Sequence, residues 1–148
     1  GYNSDTLAAM RWAGGIEATP STSPNPAKVV NLSLGSAESC DPAVNTNSAR
    51  SYVDAISRLN AAGVVVVAAA GNDGLTVGMP ANCPGVIAVA GVRHAGTKVG
   101  YSDLGAAIAI AAPAGNCVLV LVALLAVWCA HDTFSRGGRF DLPARRLP

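Results

Sequence analysis

The chain has 148 residues, a length that suits one domain. Apolar residues make up 51% and charged residues 13%, which points to a packed interior and excludes a disordered chain. With a net charge of +1 and no basic stripe interleaved with aromatics, nothing suggests a nucleic-acid partner.

Residues 4–14, "SDTLAAMRWAG", predict a helix. Ser4 or Asp5 can cap its start, Leu7, Met10 and Trp12 give a rough apolar face, and Gly14 with Gly15 stops it. "ATPSTSPNPAK" carries three prolines in eleven residues and is expected to be a loop. "VVNLSLG", 29–35, is a β-branched run ending in glycine, hence a strand, and "SAESCDPAVNTN" after it is a second loop.

The clearest helix is 48–62, where Tyr52, Val53, Ile56, Leu59 and Asn60 keep helical spacing, capped by Asn47 or Ser48 and ended by Gly63. "VVVVAAA", 64–70, does not alternate, so it is expected to be buried on both faces, as strands of a parallel sheet are. "GVIAVAGV", 85–92, and "AAIAIAAP", 106–113, read the same way. The order helix, strand, helix, strand, strand, strand implies an α/β sandwich of mostly parallel sheet flanked by helices. Sites in such sheets lie at the carboxyl ends of strands, where Gly35 and Gly71 fall.

Past Asn116 the composition changes. "CVLVLVALLAVWCA", 117–130, is apolar throughout but shorter than the roughly 20 residues a bilayer span needs. The tail from His131 has four arginines and little periodicity, and is expected to be poorly ordered. A reading-frame change or a truncated gene in GC-rich DNA would give such a switch; the run could instead be a helix packed on the domain or a failed membrane anchor. No pair among Cys40, Cys83, Cys117 and Cys129 has C-x-x-C spacing, and His94 and His131 lie near no cysteine at ligand spacing, so a zinc site is not expected. An even cysteine count fits disulfides and reduced buried thiols alike. The chain opens without a signal peptide or an initiator Met, so the segment is expected to begin inside a longer protein.

An apolar strand ending in "AAAGN", 68–72, resembles the oxyanion strand of subtilisin-like serine proteases, the subtilases. "NLSLG" (31–35), "PANCPGVIAVAGV" (80–92) and "YSDLGAAIAIAAPAG" (101–115) are similar to three further family segments, in the family's order and spacing up to about residue 117. The resemblance implies a partial subtilisin-like three-layer sandwich over 1–117, with 118–148 a divergent apolar run and basic tail. It implies that Asn72 donates a hydrogen bond to the oxyanion of the tetrahedral intermediate. A donor fixed in advance meets a charge that exists only in the transition state, and so stabilises it without reorganising. Removing that asparagine from subtilisin costs about 100- to 1000-fold in kcat, the measured case behind the general rule. By the same resemblance Ser33, Leu34 and Gly35 form the edge that pairs with substrate backbone, Ala69, Ala70 and Gly71 form a wall of the specificity pocket, and Cys40 and Cys83 form a disulfide.

The family's D-T/S-G, HGTHVAG and GTSMA motifs, which carry the aspartate, histidine and serine of the catalytic triad, are not in this sequence. His94 and His131 read as incidental, Ser102 as a structural turn serine, and Asp5 and Asp73 as a helix cap and a turn residue. A phosphate-cradling loop at "AAGNDG" is disfavoured, because the three-glycine fingerprint and a following helix are both missing. The expectation is a fragment of a subtilisin-like serine endopeptidase, inactive alone, secreted or extracellular, acting on polypeptides and monomeric if folded. No membrane partner and no cofactor are expected; calcium sites are common in the family, but no acidic cluster identifies one. The alternative is a non-catalytic peptide-binding or membrane-associated module, whose exposed edge would take up a peptide strand without cutting it.

Overall fold

The structure is a computed structural model that describes residues 2–16 and 23–115. These fall within the first of the chain's two units, Gly1–Asn116 and Cys117–Pro148. The expectations for the apolar run 117–130 and the basic tail lie outside the described residues, as do Cys117 and Cys129.

Six elements follow one another in the expected order: α1 (Asn3–Ala13), β1 (Val29–Leu32), α2 (Thr46–Ala61), β2 (Val65–Ala69), β3 (Val86–Val92) and β4 (Ile108–Pro113). The four strands form one sheet in the spatial order β1-β2-β3-β4, and every neighbouring pair is parallel. This is the parallel sheet with flanking helices that the sequence predicts.

Helix α2 forms because Ala49, Tyr52, Ile56 and Leu59 recur at helical spacing and are all buried. Helix α1 contributes Leu7 and Met10 to the same core. The helices approach closely at Gly14, where an added Cβ would collide with the Leu59 side chain. Ion pairs of Asp54 with Arg11 (3.7 Å) and Arg58 (3.8 Å) lie over this contact. With Asp54 and Arg58 largely exposed, such pairs contribute about 0–1 kcal/mol each, so the seam is held by apolar burial. The helix starts differ from expectation. Tyr2 and Asn45 occupy the N-cap positions, and neither makes a side-chain capping bond. Tertiary packing of the apolar faces substitutes for local caps. At the other ends Gly15 (φ 70°) and Gly63 (φ 77°) take the left-handed conformation that terminates a helix.

The strands depart from the expected burial. Val30, Leu32, Val66, Ala68, Ala88 and Ala90 face the helices and are buried. Their neighbours on the other face are not: Val29 is 57% exposed, Val65 42%, Ile87 40% and Ile110 57%. The pattern in β2 alternates even though its composition does not. An unbroken apolar run fits a strand covered on both sides; among the described residues only one side is covered.

Loops finish the unit. Residues 36–40 are strapped to 77–83: Ser36 N donates to Met79 O (2.8 Å) and Met79 N to Glu38 O (2.9 Å). Asn82 Nδ2 bridges Glu38 O and Val77 O. The strap is sealed by the Cys40–Cys83 disulfide, with Cα atoms 5.0 Å apart and a sequence separation of 43. Closing a loop of that length removes unfolded-state entropy worth roughly 4 kcal/mol. The C40S/C83S double variant is therefore expected to lose up to about 4 kcal/mol in urea unfolding, as the parent chain should under reductant. Equal midpoints for parent and variant under oxidising conditions would contradict this.

Candidate functional site

Strands β1 and β2 run the same way in register, with Leu32 level with Ala68. Both chains therefore leave the sheet at one edge, 33–35 from β1 and 70–72 from β2. Parallel pairing converts two segments 37 residues apart in sequence (33 and 70) into neighbours at the carboxyl ends of the strands.

Between them is a cleft of about 230 Å³. Its lining includes all seven residues singled out in sequence for the site: Ser33, Leu34, Gly35, Ala69, Ala70, Gly71 and Asn72. Ser33, Leu34, Gly35, Ala69 and Asn72 are exposed, and Ala70 is buried in its wall. The Asn72 carboxamide makes no hydrogen bond among the described residues, so its polar atoms stay available to the cleft. A second cavity of about 260 Å³ on the open sheet face shares Ala69, Ala70, Gly71 and Asn72 with the first. Asn31 lines that second cavity and donates from Nδ2 to Ser33 Oγ at 3.0 Å, which occupies a lone pair of the hydroxyl and leaves its proton to point elsewhere.

Local backbone geometry delivers Asn72. Gly71 has φ 120°, a region that side chains rarely adopt, and a Cβ there would run into Asp103 Oδ2. Asp103 is 5% exposed. It follows Ser102 in the segment quoted above as "YSDLG", yet sequence reasoning weighed only the serine. Ser102 is structural in fact: its Oγ accepts from Gly91 N at 2.8 Å and donates to Asp103 O at 3.2 Å. The sequence offered only an acid between two glycines, Gly100 and Gly105, and nothing in it marked Asp103 as buried.

Further polar groups lie apart from the cleft. His94 is exposed in the turn after β3. Tyr52, which lines a neighbouring cavity together with Leu34 and Gly35, has its hydroxyl pKa pushed above the usual value by burial, offset in part by a hydrogen bond with Thr6. Among the described residues no group of three or more His, Cys, Asp or Glu side chains is gathered to hold a metal, so no step is assigned to one. Among the same residues no helix is long and apolar enough to cross a membrane.

Comparison with known proteins gives a consistent picture. The model of the subtilase family, Peptidase_S8, matches residues 1–141. An "Extracellular protease" of Xanthomonas campestris pathovar campestris is 40% identical over 125 residues, covering 82% of this chain and 20% of the relative. An "Extracellular basic protease" of Dichelobacter nodosus is 35% identical over 120 residues, covering 78% of this chain and 18% of the relative. Among solved structures, a protease of Pseudoalteromonas arctica superposes with a TM-score of 0.70 at 36% identity, covering 80% of this chain and 34% of that one. The chain thus spans about a fifth of the length of these curated relatives.

Because Gly71 combines a positive φ with carboxylate contact, Gly71→Ala is expected to cost about 1–3 kcal/mol of stability and to displace residues 71–73. Thermal unfolding with amide chemical shifts at Asn72 and Asp73 would read both effects. An unmoved Asn72 amide in a folded variant would show that the loop does not need glycine there.

Proposed function

The chain belongs to the subtilase family, and from that premise we propose that it supplies the oxyanion donor and the substrate-binding edges of a serine endopeptidase. The observation that carries this reading is the shared cleft, in which the Asn72 amide, without a hydrogen bond among the described residues, lies with the exposed edge 33–35.

In acyl transfer the carbonyl oxygen gains negative charge as the tetrahedral intermediate forms. An Asn72 Nδ2–H aimed at that oxygen gains strength with the charge, so it lowers the barrier more than it strengthens ground-state binding. An extended peptide laid along 33–35 would be aligned by backbone hydrogen bonds, as an added strand is. Ala69, Ala70 and Gly71 offer small side chains or none, which leaves room beside them for a substrate side chain. Attack and proton transfer require the serine, histidine and aspartate of the family, and the motifs that carry them are not in this sequence. This chain by itself is therefore a peptide-binding portion of the enzyme and does not cleave. The relatives' names mark those proteins as extracellular, and the Cys40–Cys83 bridge suits an oxidising compartment, so we place the parent enzyme outside the cell.

The isolated chain is expected to turn over no peptide amide substrate; turnover abolished by a serine-directed phosphonate would overturn the assignment. Joined to segments bearing the D-T-G, HGTH and GTSMA motifs, the assembled enzyme is expected to lose about 100- to 1000-fold in kcat on Asn72→Ala, with KM little changed. A loss confined to KM would make Asn72 a ground-state contact and remove its oxyanion role.

A further inference from the structure

One residue holds the backbone on both sides of Asn72. The peptide carbonyl before it, Gly71 O, accepts from Asp103 N at 3.1 Å. The peptide N–H after it, on Asp73, donates to Asp103 Oδ1 at 3.0 Å. The same oxygen takes Leu75 N at 2.8 Å. The remainder of the turn is carried by the neighbours of Asp103: Gly74 N donates to Tyr101 O (2.7 Å), Leu104 N to Leu75 O (2.9 Å) and Val77 N to Leu104 O (3.1 Å). The other carboxylate oxygen, Oδ2, lies against Gly71, where a Cβ would stand in its way.

These contacts matter because the Asn72 amide has no internal hydrogen bond among the described residues. With nothing holding its tip, the direction of the side chain is set by the backbone that carries it. We propose that Asp103 is the positioning residue of Asn72: its main-chain N–H and its buried carboxylate clamp the two flanking peptide groups and so fix where the carboxamide points. The catalytic meaning of the clamp rests on the oxyanion reading of Asn72; its physical content, order at Asn72, does not.

An acid serves here for a definite reason. A carboxylate oxygen accepts two N–H groups at once, and its charge strengthens both bonds. Asparagine in its place keeps an acceptor for the same two donors at lower strength. Alanine leaves both donors to water, and glutamate carries the carboxylate one methylene too far.

The test uses the full 148-residue chain labelled with 15N. It compares the parent with Asp103→Asn, Asp103→Ala and Asp103→Glu. The readouts are amide exchange at Asp73 and Leu75, and the side-chain relaxation and χ1 couplings of Asn72. In Asp103→Ala, exchange at both amides should rise about tenfold, the equivalent of one lost hydrogen bond, and Asn72 should average over rotamers. Asp103→Asn should rescue most of this, with exchange within about threefold of the parent. Protection at Val66, Ala68 and Ala88 in the sheet should stay unchanged throughout. If Asp103→Ala does not fold, Asp103→Glu gives the same comparison. Parent-like order at Asn72 in Asp103→Ala, or in Asp103→Glu where that variant stands in, overturns the proposal, as does its loss only together with sheet protection. A peptide with a free C-terminal carboxylate then separates the two readings. If it shifts the backbone amides of 33–35 in the parent but not Asn72 Nδ2, the oxyanion reading fails, while the clamp is judged by the ligand-free relaxation.

Discussion

The parallel pairing of β1 with β2 is the constraint on which the rest depends. Two adjacent strands that run the same way end at the same edge, so whatever follows each must meet there. The edge 33–35 and the asparagine loop 70–72 are far apart in sequence, and no local rule joins them. A one-residue slip in this register would send the helix-facing set, Val66 and Ala68, to the open face and bring Val65, Val67 and Ala69 against the helices. The core thus enforces the register, and the register assembles the cleft.

The two arms of the cleft are then stiffened in different ways. The β1 arm is strapped through 36–40 to 77–83 by backbone hydrogen bonds and sealed by the Cys40–Cys83 disulfide. The β2 arm has no covalent tie and depends on Asp103, whose buried carboxylate and main-chain N–H grip the turn around Gly71. Both supports come from segments far along the chain, and neither touches the Asn72 amide. The arrangement leaves the polar tip of Asn72 without a hydrogen bond among the described residues while the backbone on either side of it is held.

The open sheet face has a simple physical meaning. Val29, Val65, Ile87 and Ile110 present an apolar surface that the described helices do not cover. Exposed patches of that kind are costly in water and mark a surface suited to burial. The composition of these strands records a two-sided environment, while the described residues supply one side.

Much was legible without coordinates. The helical spacing in 48–62, the β-branched runs and the glycine stops specified the order and type of all six described elements, because side-chain periodicity and glycine's conformational freedom act locally. The "AAAGN", "SLG" and "YSDLG" segments supplied a family resemblance that singled out seven of the ten residues lining the cleft. Other features were out of reach. Helix starts without side-chain caps, and the one-sided burial of uniformly apolar strands, depend on which surfaces meet, and that is settled over long sequence distances. Asp103 was visible as a letter and invisible as a clamp, since its partners Gly71, Asp73 and Leu75 lie some thirty residues away. The sequence by itself determined the elements and their order, and singled out Asn72 by a family resemblance. Only the tertiary structure decided what holds the backbone around Asn72, because those contacts to Asp103 exist only once the chain has folded.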